Sequence, residues 1–199
     1  MFRGTGTAVV TPFSGGAVDY ESFGRFLNWQ IESRVEFLVV LGTTGESPTV
    51  TAGEREEIIK FALKTAAGRV PVVIGAATND TASTVELCKH AEGLGADGLL
   101  VVTPYYNKPT QEGLFRHFEA AARAVKIPII LYNVPGRTGC NMAPETVARL
   151  SALPNIAGVK EAAGDMYQVD MLVRLIKKNR PGFSILSSND DQAFHLVNS

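Results

Sequence analysis

The chain has 199 residues with 19 basic and 20 acidic side chains, a formal charge of −1, so it lacks the basic excess with which proteins neutralise nucleic-acid phosphates. Its length suits one domain, and its two cysteines, Cys88 and Cys140, make neither a disulfide scaffold nor a CxxC pair. No apolar stretch approaches the roughly 20 residues of a membrane span, and the first ten residues lack a signal peptide's apolar region. A reduced cytoplasmic protein is therefore expected, with neither nucleic acid nor membrane as a partner.

In chain order, the run T-A-V-V at 7–10 reads as a first strand. Asp19 can cap a helix in which Phe23, Phe26, Leu27, Gln30 and Ile31 recur at helical spacing. A second strand, F-L-V-V-L at 37–41, leads into G-T-T-G-E-S at 42–47. Gly42 and Gly45 there permit a tight turn, and Thr43 and Thr44 offer hydroxyls and N–H groups to an anion. The spacing matches neither the dinucleotide fingerprint nor the Walker loop, and a turn with no ligand fits it as well. Thr51 with Glu54 forms a capping box ahead of Ile58, Ile59, Ala62 and Leu63.

The third strand is P-V-V-I-G at 71–75, followed by a helix capped by Asp80, and the fourth is G-L-L-V-V at 98–102. T-P-Y-Y-N-K-P-T at 103–110 comes next, a proline-stiffened loop whose Tyr105 and Tyr106 suit a site, an interface, or both. After the helix begun by Thr110, the fifth strand, P-I-I-L-Y at 128–132, runs into Tyr132, Asn133 and Arg137. Arg137 is a good fork for a carboxylate and Tyr132 a possible proton relay, against the plainer alternative of a surface arginine beside a core tyrosine. Pro144 suits a first helical turn. The sixth strand, I-A-G-V-K at 156–160, ends in Lys160, whose amine, if desolvated at a barrel mouth, can attack a carbonyl carbon; most lysines are simply solvated. Asp165 with Gln168 starts another helix, and F-S-I-L-S at 183–187 is the seventh strand.

The strands are continuously apolar, as in a parallel sheet covered on both faces, and alternate strictly with helices. An eight-stranded (β/α)8 TIM barrel and an open doubly wound sheet both fit. The regular unit length favours the barrel, although the chain falls short of its usual ~250 residues and shows only seven strands. Glu46, Glu161, Asp190 and Asp191 lack metal-site spacing, and His90, His117 and His195 are far apart, His90 and His117 within helical patterns. No metal or other cofactor is indicated.

Taken together, G-T-T-G-E at 42–46, V-T-P-Y-Y-N-K-P-T-Q-E-G at 102–113, Y-N-V-P-G-R-T-G at 132–139 and G-V-K-E-A at 158–162 closely resemble the 4-hydroxy-tetrahydrodipicolinate (dihydrodipicolinate) synthase family. These are pyruvate-dependent class I aldolases akin to N-acetylneuraminate lyase, and the likeness runs from about Met1 to Val197. It implies a TIM-barrel catalytic domain over residues 1–199, incomplete here because the chain stops before the eighth strand and C-terminal helices. It implies that Lys160 forms an imine with pyruvate and that the enamine attacks L-aspartate 4-semialdehyde on the diaminopimelate route to lysine. Tyr132 would transfer protons with Thr44 and Tyr106, Tyr106 reaching the neighbouring subunit of a homodimer or dimer-of-dimers tetramer. Thr43 and Thr44 would hold the pyruvate carboxylate, and Arg137 would position the relay and bind the semialdehyde's carboxylate. A related aldolase taking a sugar-like or keto-acid aldehyde, and a noncatalytic truncated barrel acting in assembly or binding, remain alternatives.

Two features depart from the family pattern. Ser188 stands before Asn189, Asp190 and Asp191 where the synthases usually carry glycine, and a seven-stranded barrel is expected to be unstable or aggregation-prone unless another chain closes it. In regulated family members an allosteric lysine site uses residues corresponding to Tyr105 and Asn79, with histidine or glutamate often standing where this chain has Ala52, Arg55 and Ser83. Lysine is therefore expected to inhibit weakly or not at all, and an inhibition titration giving a micromolar constant would contradict this.

Overall fold

In this computed structural model, residues 2–189, with Gln192 and Phe194, are described. Asp190, Asp191 and His195 lie outside the described residues.

Seven parallel strands form one sheet in the order β1 (Gly6–Ala8), β4 (Phe37–Val40), β5 (Val72–Gly75), β6 (Gly98–Val102), β7 (Ile129–Asn133), β8 (Ile156–Glu161) and β9 (Ser184–Ser187). Each strand pairs with the next in the chain, which is barrel topology and rules out the doubly wound order, in which the sequence of strands reverses. The sheet curls far enough for the Ser184 hydroxyl, at the start of β9, to donate to the Phe2 carbonyl at 2.6 Å, just before β1. The fold is an incomplete (β/α) barrel, with β1 and β9 as its edges.

The strand-linking helices are α1 (Tyr20–Glu32), α2 (Ala52–Ala66), α3 (Thr81–Gly93), α4 (Gln111–Ala124), α6 (Pro144–Ser151) and α7 (Met166–Leu172); a short turn, α5 (Pro135–Thr138), follows β7. Their starts follow from the caps. Asp19, Thr51, Asp80, Thr110 and Asp165 each accept from a backbone N–H in the first turn, and Thr51 with Glu54 completes its capping box. Gln168 does not complete a second box, because its amide is drawn instead to Glu161 and Asn141.

Alternate strand residues feed two cores, which is why the runs read as unbroken apolar stretches. Leu38, Val40, Leu99, Val101, Ile129 and Leu131 pack outward against Phe23, Leu27, Ile58 and Phe118 of the helices. Phe37, Val39, Val73, Leu100, Ile130 and Tyr132 point inward and cluster with Phe2 along the barrel's inner wall. His117 belongs to the helix layer: Thr81 Oγ1 lies 2.9 Å from its Nδ1, and burial pushes its pKa down to about 4, so it is a neutral core imidazole.

The first strand spans Gly6–Ala8 rather than 7–10, leaving Val10 exposed. A hairpin that the apolar pattern did not show follows, pairing β2 (Phe13–Ser14) with β3 (Ala17–Val18). Its turn residues Gly15 and Gly16 have φ of 59° and 82°, the left-handed pair of a two-residue type I′ hairpin. In the Y-N-V-P-G-R-T-G segment, Tyr132 and Asn133 end β7 and residues 135–138 form the helical turn α5.

Gly75, at the end of β5, lies so close to the β4 loop that a side-chain carbon there would overlap the Leu41 carbonyl and sit 2.9 Å from Gly42 N. The obstacle is backbone and cannot rotate away. Gly75→Ala should destabilise the fold by about 3 kcal/mol, measured as a fall in the urea midpoint at unchanged slope.

Candidate active site

The residues singled out after the strands converge at one end of the barrel. Thr43 and Thr44 follow β4, Tyr132 lies near the end of β7, Lys160 near the end of β8, and Arg137 on α5; all five line one cavity of about 1280 Å³. It is larger than a typical ligand pocket because it continues down the barrel interior to Phe2, Phe37 and Ser184, along the open side between the edge strands.

Register brings the lysine and the tyrosine together. Tyr132 pairs with Lys160 and Asn133 with Glu161, after the ladder shifts by one residue between Ile129 and Ile130. That shift leaves Ala157 as an extra residue. In a regular strand Lys160 would share the face of Ile156, which is buried in the helix-side core; the irregularity turns it inward. Lys160 Nζ sits 4.6 Å from the centroid of the Tyr132 ring. Burial among such neighbours disfavours the ammonium and lowers the lysine pKa, and a lowered pKa is what a nucleophilic amine needs.

The G-T-T-G-E turn departs from the expected division of labour. Gly42 and Gly45 do not carry the left-handed angles; Leu41 and Glu46 do, at φ 57° and 54°. Gly45 suits a close approach, since a side-chain carbon there would lie 3.1 Å from Leu41 N and Val9 O, tighter than ordinary contact. Neighbours hold the turn: the Thr11 hydroxyl donates to Gly45 O at 2.7 Å, and Arg55 donates to Ser47 Oγ at 2.8 Å and Gly75 O at 3.3 Å. Sequence reading missed Thr11 and the holding role of Arg55, because neither lies in a motif.

Tyr106 lies elsewhere. It is 87% exposed, at φ 73°, on a loop tied to α5 by Tyr106 N donating to Thr138 O at 3.3 Å, and it does not line the cavity. Among the described residues no hydrogen bond joins Tyr132, Thr44 and Tyr106 within one chain. Ser188 lines the cavity and lacks a left-handed φ, so serine adds no backbone strain in place of glycine.

A further group lies on the other face of the sheet. Glu161 is 3% exposed and accepts from Asn133, Gln168 and the Ala163 N–H, and Asn141 joins Asn133 to Gln168. Sequence reading weighed Glu161 only as a metal ligand and set that role aside on spacing; the one signal for its actual surroundings was Gln168, assigned to a cap. Among the described residues no three His, Cys, Asp or Glu side chains gather to hold a metal ion, and no helix is long and apolar enough to cross a membrane.

The sequence pattern of the Dihydrodipicolinate synthetase family matches residues 1–198. The chain belongs to this family. It is 60% identical over 197 residues to 4-hydroxy-tetrahydrodipicolinate synthase of Kosmotoga olearia, covering 99% of this chain and 67% of that protein. It is 52% identical over 198 residues to the synthase of Thermotoga maritima, covering 99% and 67%. The crystal structure of the Thermotoga maritima dihydrodipicolinate synthase superposes with a TM-score of 0.97 at 52% identity, over 100% of this chain and 68% of that one. The Aquifex aeolicus synthase superposes with 0.94 at 42% identity, over 98% and 66%. The chain thus spans about two thirds of the length of the synthases it matches.

Within this synthase-family site the lysine shift has a measurable sign. Burial lowers the Lys160 pKa, so its free amine appears below the ordinary lysine value of 10.5. The protonated form costs folding free energy, and that cost is relieved as pH rises through the lowered value. Acetylation of Lys160 by acetic anhydride, followed by peptide mass analysis against pH, should rise with a midpoint below 10.5; a midpoint at or above it would contradict the desolvated site.

Proposed function

We propose that the chain carries the chemistry of a 4-hydroxy-tetrahydrodipicolinate synthase, condensing pyruvate with L-aspartate 4-semialdehyde on the diaminopimelate route to lysine. The observation that carries the reading is Lys160, a desolvated amine at the carboxyl end of a barrel strand, 4.6 Å from the Tyr132 ring. Family membership supplies the substrates.

In this reading the Lys160 amine adds to the pyruvate carbonyl carbon, and the oxygen leaves as water with a proton supplied by the Tyr132 phenol, which gives a protonated imine and the Tyr132 phenolate. The imine withdraws electrons, so a methyl proton can leave to the Tyr132 phenolate and give the enamine. Thr43 and Thr44 hold the pyruvate carboxylate from a turn already fixed by Thr11 and Arg55. The enamine carbon attacks the aldehyde, whose oxygen takes up a proton. The semialdehyde's own amine then displaces Lys160 from the imine carbon, closing the ring and freeing the lysine. The electron sink is the imine itself, so the sequence of steps calls on no separate cofactor or metal.

Arg137 is assigned to the semialdehyde's carboxylate, for which its planar fork offers two parallel donors. Tyr106 is assigned to a neighbouring subunit's site in a homodimer or a dimer-of-dimers tetramer, which its 87% exposure supports. Residues 1–199 act as one catalytic domain, placed in the cytoplasm, where the free thiols Cys88 and Cys140 stay reduced.

The test is pyruvate with borohydride followed by peptide mass analysis. An adduct on Lys160, absent in Lys160→Arg, is expected, and its absence in the unsubstituted protein overturns the reading. Arg137→Ala should then lower kcat/KM for the semialdehyde by about a hundredfold while leaving the pyruvate adduct in place. Preferred turnover of a sugar-like aldehyde would move the chain to another acceptor class.

A further inference from the structure

Glu161 poses a question that the reaction does not answer. It is a buried carboxylate one residue from Lys160, on the opposite face of β8, and among the described residues no cation lies within ion-pair distance. A buried charge is costly unless it is fully hydrogen-bonded, and an apolar side chain of similar size is often the more stable choice. Here the charge is satisfied by neutral donors alone. Asn133 Nδ2 donates to its two oxygens at 3.0 and 3.1 Å, Gln168 Nε2 to Oε2 at 2.9 Å and Ala163 N to Oε1 at 2.7 Å.

Because a carboxylate only accepts, it fixes which way both amides face. With its NH2 turned to Glu161, Asn133 presents Oδ1 to Met142 N at 2.9 Å, and its Nδ2 also reaches Asn141 Oδ1 at 2.7 Å. Gln168 likewise turns Oε1 to Asn141 Nδ2 at 2.9 Å. The segment from Asn133 to Met142 is therefore closed into a loop at its base. Arg137 sits on that loop, exposed, with no side-chain hydrogen bond or ion pair among the described residues. Only the loop backbone aims its guanidinium.

We propose that Glu161 is a positioning residue, setting the polarity of the Asn133–Gln168–Asn141 network that holds the Arg137 loop over the cavity. Selection of the carboxylate-bearing aldehyde then depends on a carboxylate across the sheet from it. The inference rests on the proposed synthase reading, with Arg137 as the carboxylate fork. Glutamine at 161 has nearly the same shape, but its NH2 would confront Asn133, Gln168 or Ala163 donors, so the network must break or reorient.

The experiment is a double-mutant cycle with two readouts, pyruvate trapping on Lys160 and steady-state kinetics with the semialdehyde. Glu161→Gln should raise KM for the semialdehyde about ten- to a hundredfold, while trapping persists, because the β7–β8 ladder that places Lys160 is untouched. Adding Arg137→Ala to Glu161→Gln should cost much less than Arg137→Ala costs alone. Independent, multiplying losses would overturn the proposal, as would loss of trapping in a folded Glu161→Gln protein. Should Glu161→Gln not fold, Asn141→Ala removes the loop's link to Gln168 while leaving Met142 N on Asn133 and Glu161 its donors; it should raise KM for the semialdehyde in the same direction, and an unchanged KM overturns the proposal. No trapping in the unsubstituted protein removes the synthase reading and this inference with it, whereas trapping without the coupling removes this inference alone.

Discussion

The pairing of β7 with β8 is the constraint on which the site depends. Side chains alternate along each strand, so the register that puts Tyr132 beside Lys160 inside the barrel also puts Asn133 beside Glu161 outside it. A one-residue slip would exchange the two faces, driving the lysine into the helix layer and the carboxylate into the cavity. The extra residue at Ala157 sets the phase. Ile156 can then fill the helix-side core while Lys160, four residues on, faces inward.

With that phase fixed, the inner wall sets the lysine's chemistry. Its inward neighbours include a tyrosine ring, and among the described residues no carboxylate lies within ion-pair distance of its ammonium. Glu161, the closest acid in sequence, is directed away and satisfied by amides. Had Glu161 faced inward, attraction would have raised the lysine pKa and opposed the desolvation that frees the amine. One strand thus keeps its acid and its base apart by pointing them through opposite faces of the sheet.

Much of this was legible in the sequence. Unbroken apolar runs such as F-L-V-V and G-L-L-V-V announced a sheet covered on both sides, and Asp19, Thr51, Asp80, Thr110 and Asp165 marked helix starts because capping is local chemistry. Lys160, Tyr132, Thr43, Thr44 and Arg137 were nameable because each stands near the end of a strand or just after one. What escaped was non-local. The hairpin at Phe13–Val18 has too few residues for a periodic signal, and the turn's left-handed angles stand at Leu41 and Glu46 rather than at its glycines, with Gly75 of β5 packed against Leu41. Gln168 has two competing uses, a cap three residues back or a carboxylate on the preceding strand. Only the fold shows that the buried carboxylate wins.

That competition has a physical basis. An exposed cap hydrogen bond is partly replaced by water when lost, whereas an unsatisfied lone pair on a buried carboxylate has no such substitute. Asp165 caps α7 without help, through Tyr167 N at 2.9 Å, so releasing Gln168 costs the helix little. The released amide reaches the strand that bears the lysine and, through Asn141, the loop that bears the arginine. Two groups proposed to act on different substrates are in this way referred to one rigid frame, with the sheet between the frame and the cavity. Asn133, Glu161 and Gln168 of that frame are buried and line no part of the cavity, so their geometry need not change as the cavity fills and empties, while Asn141 at its outer edge is exposed.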